Sequence, residues 1–163
     1  MDFGKDDEVL ATVRASAGRR VLGLGCLGFL GLLLLYIAFF QPPTFGWQLF
    51  LVAMGAGSLW CADAMRRATA SHVELTPLEL RDADGTVIVR VADIVGLDRG
   101  FFAFKPSNGF LIKSAATAER VWRPGLWWRV GARIGIGGMT PASQTKFMSE
   151  ILAAMIATRD SQE

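Results

Sequence analysis

The sequence predicts a membrane helical hairpin followed by an α+β domain, an antiparallel β-barrel of short strands capped by a C-terminal α-helix. Three observations lead there. Two uncharged apolar runs lie close together between Val21 and Ala62, short alternating segments broken by turn residues follow Ser71, and helical spacing of apolar residues returns after Pro141. The 52% hydrophobic share of the 163 residues exceeds that of ordinary globular chains, and the excess is concentrated between Val21 and Met65. The expected divisions are an N-terminal segment over 1–20, the hairpin over 21–67 with helices at about 21–40 and 45–65, and a folded domain over 71–160.

The first run, Val21 to Phe40, carries no charged side chain. Twenty helical residues rise about 30 Å, the thickness of a bilayer's hydrocarbon core. Pro42 and Pro43 then stop the helix, because proline has no amide hydrogen and disfavours helical angles in the residue before it. A second run, Phe45 to Ala62, starts almost at once, with Trp47 where an aromatic ring favours the headgroup level. The pair is expected to fold as a tight hairpin. Gly28 and Gly31 on one helix and Ala53, Gly57 and Cys61 on the other offer surfaces for close packing, within the hairpin or in a homo-oligomer. That packing is favoured over a pore, since no acidic or amide side chain occupies the middle of either span.

Orientation follows from basic flanks. Arg14, Arg19 and Arg20 precede the first helix, Arg66 and Arg67 follow the second, and Gln41 to Thr44 has none, so both termini are expected in the cytosol. Arg outnumbers Lys, and Ala and Gly are frequent, which fits a GC-rich bacterial genome and places the expected location in an inner (plasma) membrane. The paired Arg19 and Arg20 resemble a twin-arginine signal, but the run is longer than a signal core, lacks a small-residue cleavage site and is followed by a second span. Cys26 does not suit lipoprotein processing, with almost no apolar stretch before it. Cys26 and Cys61 both lie in apolar runs and are expected to pack as small apolar residues. Asp63, three and four residues before Arg66 and Arg67, is expected in an interfacial ion pair and not in a proton relay.

Beyond Ser71, His72 to Leu75 and Leu78 to Arg81 are expected extended, with a turn at Asp82 to Gly85 and a return strand at Thr86 to Val91. Ile94 to Leu97, Phe101 to Phe104, Phe110 to Ser114, Arg120 to Arg123 and Leu126 to Ile136 complete six or seven strands. Thr140 is the expected helix cap, with Pro141 in the first helical position. Phe147, Met148, Ile151, Leu152, Met155 and Ile156 then recur at helical spacing. A fragment beginning near Ala68 is expected to fold alone as a soluble, strand-rich unit.

In layout the chain resembles the bacterial pleckstrin-homology-like (PH-like) membrane proteins, in which a two-helix hairpin is followed by such a domain. The resemblance spans Val21 to Arg159. It rests on the extended stretch with Leu75, Thr76 and Pro77, the turn at Asp84 and Gly85, the strand opening Asp93, Ile94 and Val95, and the closing helix. It implies a binding domain with a PH-like barrel. Phosphoinositide-binding members of the wider superfamily carry basic residues around the first hairpin, whereas this chain has Asp82 and Asp84, a departure that argues against inositol-phosphate binding.

Catalytic chemistry has little to build on. His72 is the only histidine, and the sequence holds no nucleophile elbow, no paired-histidine zinc motif and no Cys or His cluster with metal spacing. No enzyme activity, cofactor or metal is expected. Gly131, Gly135, Gly137 and Gly138 precede a helix but lack the Lys and Ser or Thr of a phosphate loop, so a bulged, closely packed strand is expected there. A net charge of +2 is too small to imply nucleic acid as partner. The basic residues are nonetheless uneven. Lys105, Lys113, Arg120, Arg123, Arg129 and Arg133 face a single acid, Glu119, within their stretch. Interleaved with Trp122, Trp127 and Trp128, they suggest a contact surface for membrane lipids or a protein partner, with Arg123, Trp127, Trp128 and Arg129 as its leading residues. Reversing the charge of Arg123 and Arg129 is expected to abolish that contact without unfolding the domain. The expected function is a non-enzymatic, membrane-anchored binding module presenting its domain to a protein partner or an anionic lipid surface. The alternative is a structural or assembly subunit of a larger membrane complex.

Overall fold

The computed structural model of the chain describes residues 7–100 and 106–162. The expected strand at Phe101–Phe104, and Lys105, lie outside them. Two compact units emerge, one made of the residues up to Ser16 together with those from Ala68 onward, the other of Ala17–Arg67.

The smaller unit is a pair of helices, α1 (Ala17–Phe40) and α2 (Phe45–Ala68), each long and apolar enough to cross a membrane. Helix α1 starts four residues earlier than the apolar run, because Ala17, Arg19 and Arg20 are good helix formers that outweigh Gly18 and a helix need not end where its apolar stretch does. The helices meet backbone to backbone at Gly31 and Gly55. A methyl group added at Gly31 would lie 2.8 Å from Leu59 Cγ and 3.0 Å from the Gly55 carbonyl oxygen, and one at Gly55 would lie 2.9 Å from Leu35 Cγ. Gly31 was expected at this seam; its partner Gly55 was not, and Gly28 and Gly57 have open space beside them. Gln48 Nε2 donates to the Ala38 carbonyl (2.9 Å) near the hairpin tip, and Arg20 Nη2 donates to the Arg66 carbonyl (3.3 Å) at the open end. Asp63 pairs with Arg66 (2.8 Å) and Arg67 (3.1 Å), as its spacing suggested.

The larger unit is α+β. Its strands are β1 (Ala11–Arg14), β2 (His72–Leu75), β3 (Glu79–Asp82), β4 (Val87–Arg90), β5 (Ile94–Asp98), β6 (Phe110–Arg123) and β7 (Trp127–Ile136), and helix α3 (Ala142–Asp160) closes it. They form two antiparallel sheets, β1-β2-β3-β4 and β5-β6-β7. The sequence suggested a barrel. Among the described residues no strand pairing joins the two sheets, so the barrel is not closed, and a 3-10 turn at Val91–Asp93 carries the chain from one sheet to the other. Arg159 Nη1 holds that turn by donating to the carbonyls of Val91, Ala92 and Ile94 (3.0–3.3 Å).

Three further departures have clear causes. Residues 11–14 were assigned to an N-terminal segment, yet they pair with β2 in the register Ala11↔Leu75 to Arg14↔His72, so the hairpin is inserted between the first two strands of one sheet. Ala11 and Val13 face inward and are buried. Two inward residues are too few to register as alternation, and the pairing partner lies far along the chain. Strand β6 runs unbroken through Ala115–Glu119, a stretch of low strand preference that pairs with β7 at Ala118 and is bounded by regular pairing on either side. Helix α3 starts at Ala142 with Pro141 in the capping position, one residue later than expected.

The core gathers Val13, Leu75, Leu80, Ile88, Ile94, Phe110, Ile112, Leu126, Ile134 and Ile136 from the two sheets with Met148, Leu152 and Met155 from α3. Each such apolar side chain contributes about 1.5–3 kcal/mol on full burial. Thr145, Met148, Ser149, Leu152 and Met155 form the inward stripe of α3, whereas Phe147, expected on it, is mostly exposed. The helix packs chiefly against β1, whose Arg14 amide donates to Gln144 Oε1 (2.9 Å).

Candidate functional site

The four residues singled out from the sequence do not share a surface. Trp127 is 2% exposed and belongs to the core. Its indole Nε1 donates to Asp82 Oδ2 (2.9 Å), while Asp82 Oδ1 accepts from the Ala83 amide (2.8 Å) and from the Ser71 hydroxyl. Asp82 is itself buried, and burying a carboxylate is tolerated because these donors replace its water. The two aspartates expected at the first turn are therefore structural. Asp84 Oδ1 accepts from the Thr86 amide (2.9 Å), closing the β3–β4 turn around Gly85, and Arg123 Nη2 reaches Asp84 Oδ2 at 3.4 Å with Nε at 4.0 Å from Asp82 Oδ2. Arg123 thus ties the end of β6 to that turn and is not a free cation.

Arg129 is also buried, at 8% exposed. Its guanidinium donates to three main-chain carbonyls: Ile88 (2.7 Å), Ala116 (3.0 Å) and Gly131 (3.1 Å). The reason lies in the β6–β7 register. Between the pairs Lys113↔Arg133 and Ala118↔Gly131, β6 places more residues than β7, so the ladder bulges, and Gly131 adopts a φ of +60° to allow it. A bulge frees carbonyl oxygens from the ladder, and Arg129 supplies donors to those of Ala116 and Gly131 while also reaching the Ile88 carbonyl on β4. As contact residues, Trp127 and Arg129 are withdrawn by their burial.

Trp128 remains accessible in part. It is the register partner of Trp122, which is 48% exposed, so both indoles stand on one face of the β6–β7 hairpin. A methyl group at Gly135 would lie 2.4 Å from Trp128 Cε2, so the indole packs directly against the glycine, as expected of a closely packed strand. That contact also sets the face: Gly135 and Arg133, two residues apart on β7, share one side, and the indole lies on it. Lys113 and Arg133, both exposed, are register partners two positions along. Arg120 and Val130 are exposed nearby in sequence.

His72, inside β2, meets Glu74 Oε1 at 2.9 Å, and Arg81 Nε donates to Glu74 Oε2 at 3.2 Å. The bond from His72, aided by Arg81, holds the Glu74 carboxyl below its ordinary value of 4.5. A depressed carboxyl stabilises the folded state above its ordinary range, and that contribution is lost as pH falls through the folded value. Glu74→Gln should therefore lower stability at neutral pH and flatten the loss below about pH 4. Thermal melts from pH 7 to pH 3 check this, and parallel curves for both proteins would contradict it.

Comparison with known proteins adds nothing to this geometry. No family model, curated protein or solved structure matches the chain.

A cavity of about 520 Å³ lies between the residues before β6 and the start of α3, lined by Arg99, Ser107, Asn108, Thr145, Lys146 and Ser149. Thr145 Oγ1 donates to the Asn108 carbonyl (2.6 Å) across it. Sequence reasoning did not find this cavity, because its walls come from residues about forty positions apart with no motif between them.

Proposed function

We propose that the chain is a non-enzymatic, membrane-anchored binding module that holds a PH-like domain at the cytosolic face of a bacterial inner membrane and presents it to a protein partner or an anionic lipid surface. The observation that carries this reading is the insertion of the two apolar helices between β1 and β2. Strands paired in one sheet lie on one side of a bilayer, so an insertion between them must cross an even number of times. The connections are short, Ala15 and Ser16 on one side and Thr69 to Ser71 on the other. Only 11% of each helix's most apolar window is buried, and Val21, Phe29, Phe39, Phe45 and Trp47 stand exposed. Contiguous apolar surface of that extent is stable only against lipid or another protein. The basic flanks place the side shared by β1 and β2 in the cytosol.

PH-like architecture is supported by the order of elements, among the described residues seven antiparallel strands in a four-stranded and a three-stranded sheet followed by one C-terminal helix. The binding role, as opposed to catalysis, is supported by how the polar groups are engaged. The only histidine is paired within its strand, and Asp82, Asp84, Arg123 and Arg129 hold turns and bulges.

The reading predicts that the full chain stays in the membrane pellet after alkaline carbonate. Single cysteines placed at Thr12 and at Ser161, in a Cys26→Ser, Cys61→Ser background, should resist a membrane-impermeant thiol reagent in intact cells and react after lysis. One at Thr44 should react in intact cells. Labelling of Thr12 and Ser161 positions from outside would overturn the orientation, and release by carbonate would overturn the anchor.

A further inference from the structure

We propose that the outer face of the β5-β6-β7 sheet is a site for the phosphate headgroups of anionic lipid, held by Lys113 and Arg133 and flanked by the indoles of Trp128 and Trp122. This rests on the reading of the chain as a membrane-anchored binding module and specifies what the module binds.

The decisive feature is a mispairing. Lys113 on β6 and Arg133 on β7 are register partners, so two cations stand directly opposite each other on one face, an arrangement that destabilises a sheet. Among the described residues neither has an ion pair or a hydrogen-bond partner for its side chain, and both are exposed. The third strand supplies no relief, for Lys113 is opposed on β5 by Gly96. Asp98, two residues further along β5, is turned to the Gly100 amide, which donates to its Oδ1 (2.8 Å). Glu119 is exposed on the far side of the bulge, next to Arg120. Two opposed cations over a glycine leave room for a doubly liganded oxyanion, whose binding removes the repulsion.

Why a lipid phosphate and not an acidic peptide follows from the surroundings. Trp128 packs against Gly135 on the side of Arg133, and Trp122 is its half-exposed partner across the ladder. Indoles next to cations are the side chains that settle at the headgroup level, apolar body toward the acyl boundary and N–H toward water. The connections to the helices are two and three residues long, at most about 10 Å of extended chain, which tethers the domain close to the anchor. Charged lipid attracts each nearby basic residue at that distance.

The test uses the full chain in nanodiscs of phosphatidylcholine with 30% phosphatidylglycerol, an amount on the order of natural anionic lipid content. A trace of headgroup-photoactivatable phosphatidylglycerol or phosphatidylcholine is added, and the labelled residues are mapped. Peptides of β6 and β7 should be labelled at least fivefold more by the anionic probe, while α1 and α2 are labelled equally by both and serve as the internal standard. Lys113→Glu with Arg133→Glu should remove the excess with a melting temperature little changed, since one like-charged pair replaces another, and 0.5 M salt should weaken the excess, because screening shortens to a few ångström. Equal labelling by the two probes, or an excess that survives the double substitution, overturns the lipid site.

A photo-crosslinking phenylalanine at exposed Val130, in cells, separates this failure from failure of the module itself. An adduct to another protein, without anionic labelling, overturns the lipid and leaves the module. No adduct of either kind overturns both.

Discussion

A fragment running from Ala68 to Gln162 should fail to fold, whereas residues 7–16 joined to 68–162 through a short Gly-Ser linker should melt cooperatively with a strand-rich spectrum and one helix. Strand β1 is the reason. It covers the edge of β2, places Val13 at 0% exposure in the core, and is the main element against which α3 packs. Removing it uncovers His72–Leu75 as an unpaired edge and strips the inner face of α3 from its support. Val13 and Ala11 together account for several kcal/mol, and the exposed faces of Met148, Leu152 and Met155 add more, against a total stability of about 5–15 kcal/mol for an ordinary domain. Circular dichroism and urea melts of the two chains decide the matter. Equal midpoints would show that β1 contributes nothing, and would return the domain boundary to Ala68.

Arg129→Ala should be among the more damaging single substitutions in the domain, at about 2–4 kcal/mol, and Arg129→Glu should prevent folding. The guanidinium is buried and is the shared donor for the carbonyls of Ile88, Ala116 and Gly131. Truncation leaves the buried Ile88 carbonyl without that donor, at about 1–3 kcal/mol, and removes two further bonds to the more accessible carbonyls of Ala116 and Gly131, where water can substitute in part. A carboxylate would in addition face them with like partial charge. Arg123→Glu should be milder, because its ion pairs with Asp84 and Asp82 are long and partly exposed to solvent. This reverses the expectation that charge reversal at both arginines spares the fold. Chemical denaturation of the full chain in detergent, following the loss of strand signal by circular dichroism, measures the ranking. If Arg123→Glu were the worse of the two, the bulge would not depend on Arg129.

How much was legible in the sequence varied with the range of the interactions. Helices α1 and α2 were found because twenty uncharged residues in a row, the Pro42–Pro43 stop and the Asp63–Arg66 spacing are all local signals. Strands β2 to β5, and α3 to within one residue at its start, were found because alternation, turn residues and helical spacing act over a few positions. The basic stretch was legible too, but not which of its members would be exposed. Arg129 and Arg133 look alike in the sequence, and only the bulge, an outcome of how β6 registers on β7, buries one and leaves the other opposite Lys113.

By itself, then, the sequence determined two helices able to cross a membrane, an antiparallel α+β domain after them, and an excess of cations between Lys105 and Arg133, because composition and periodicity act through neighbouring residues. Tertiary structure alone decided that Ala11–Arg14 belongs to the domain, that Gly31 meets Gly55, that Trp127 serves Asp82, and that Lys113 stands against Arg133. Each of these depends on a partner too far along the chain for a local pattern to record. Strand register and close backbone approach are set by the packing of the whole core, and no side chain announces its partner until that packing is complete.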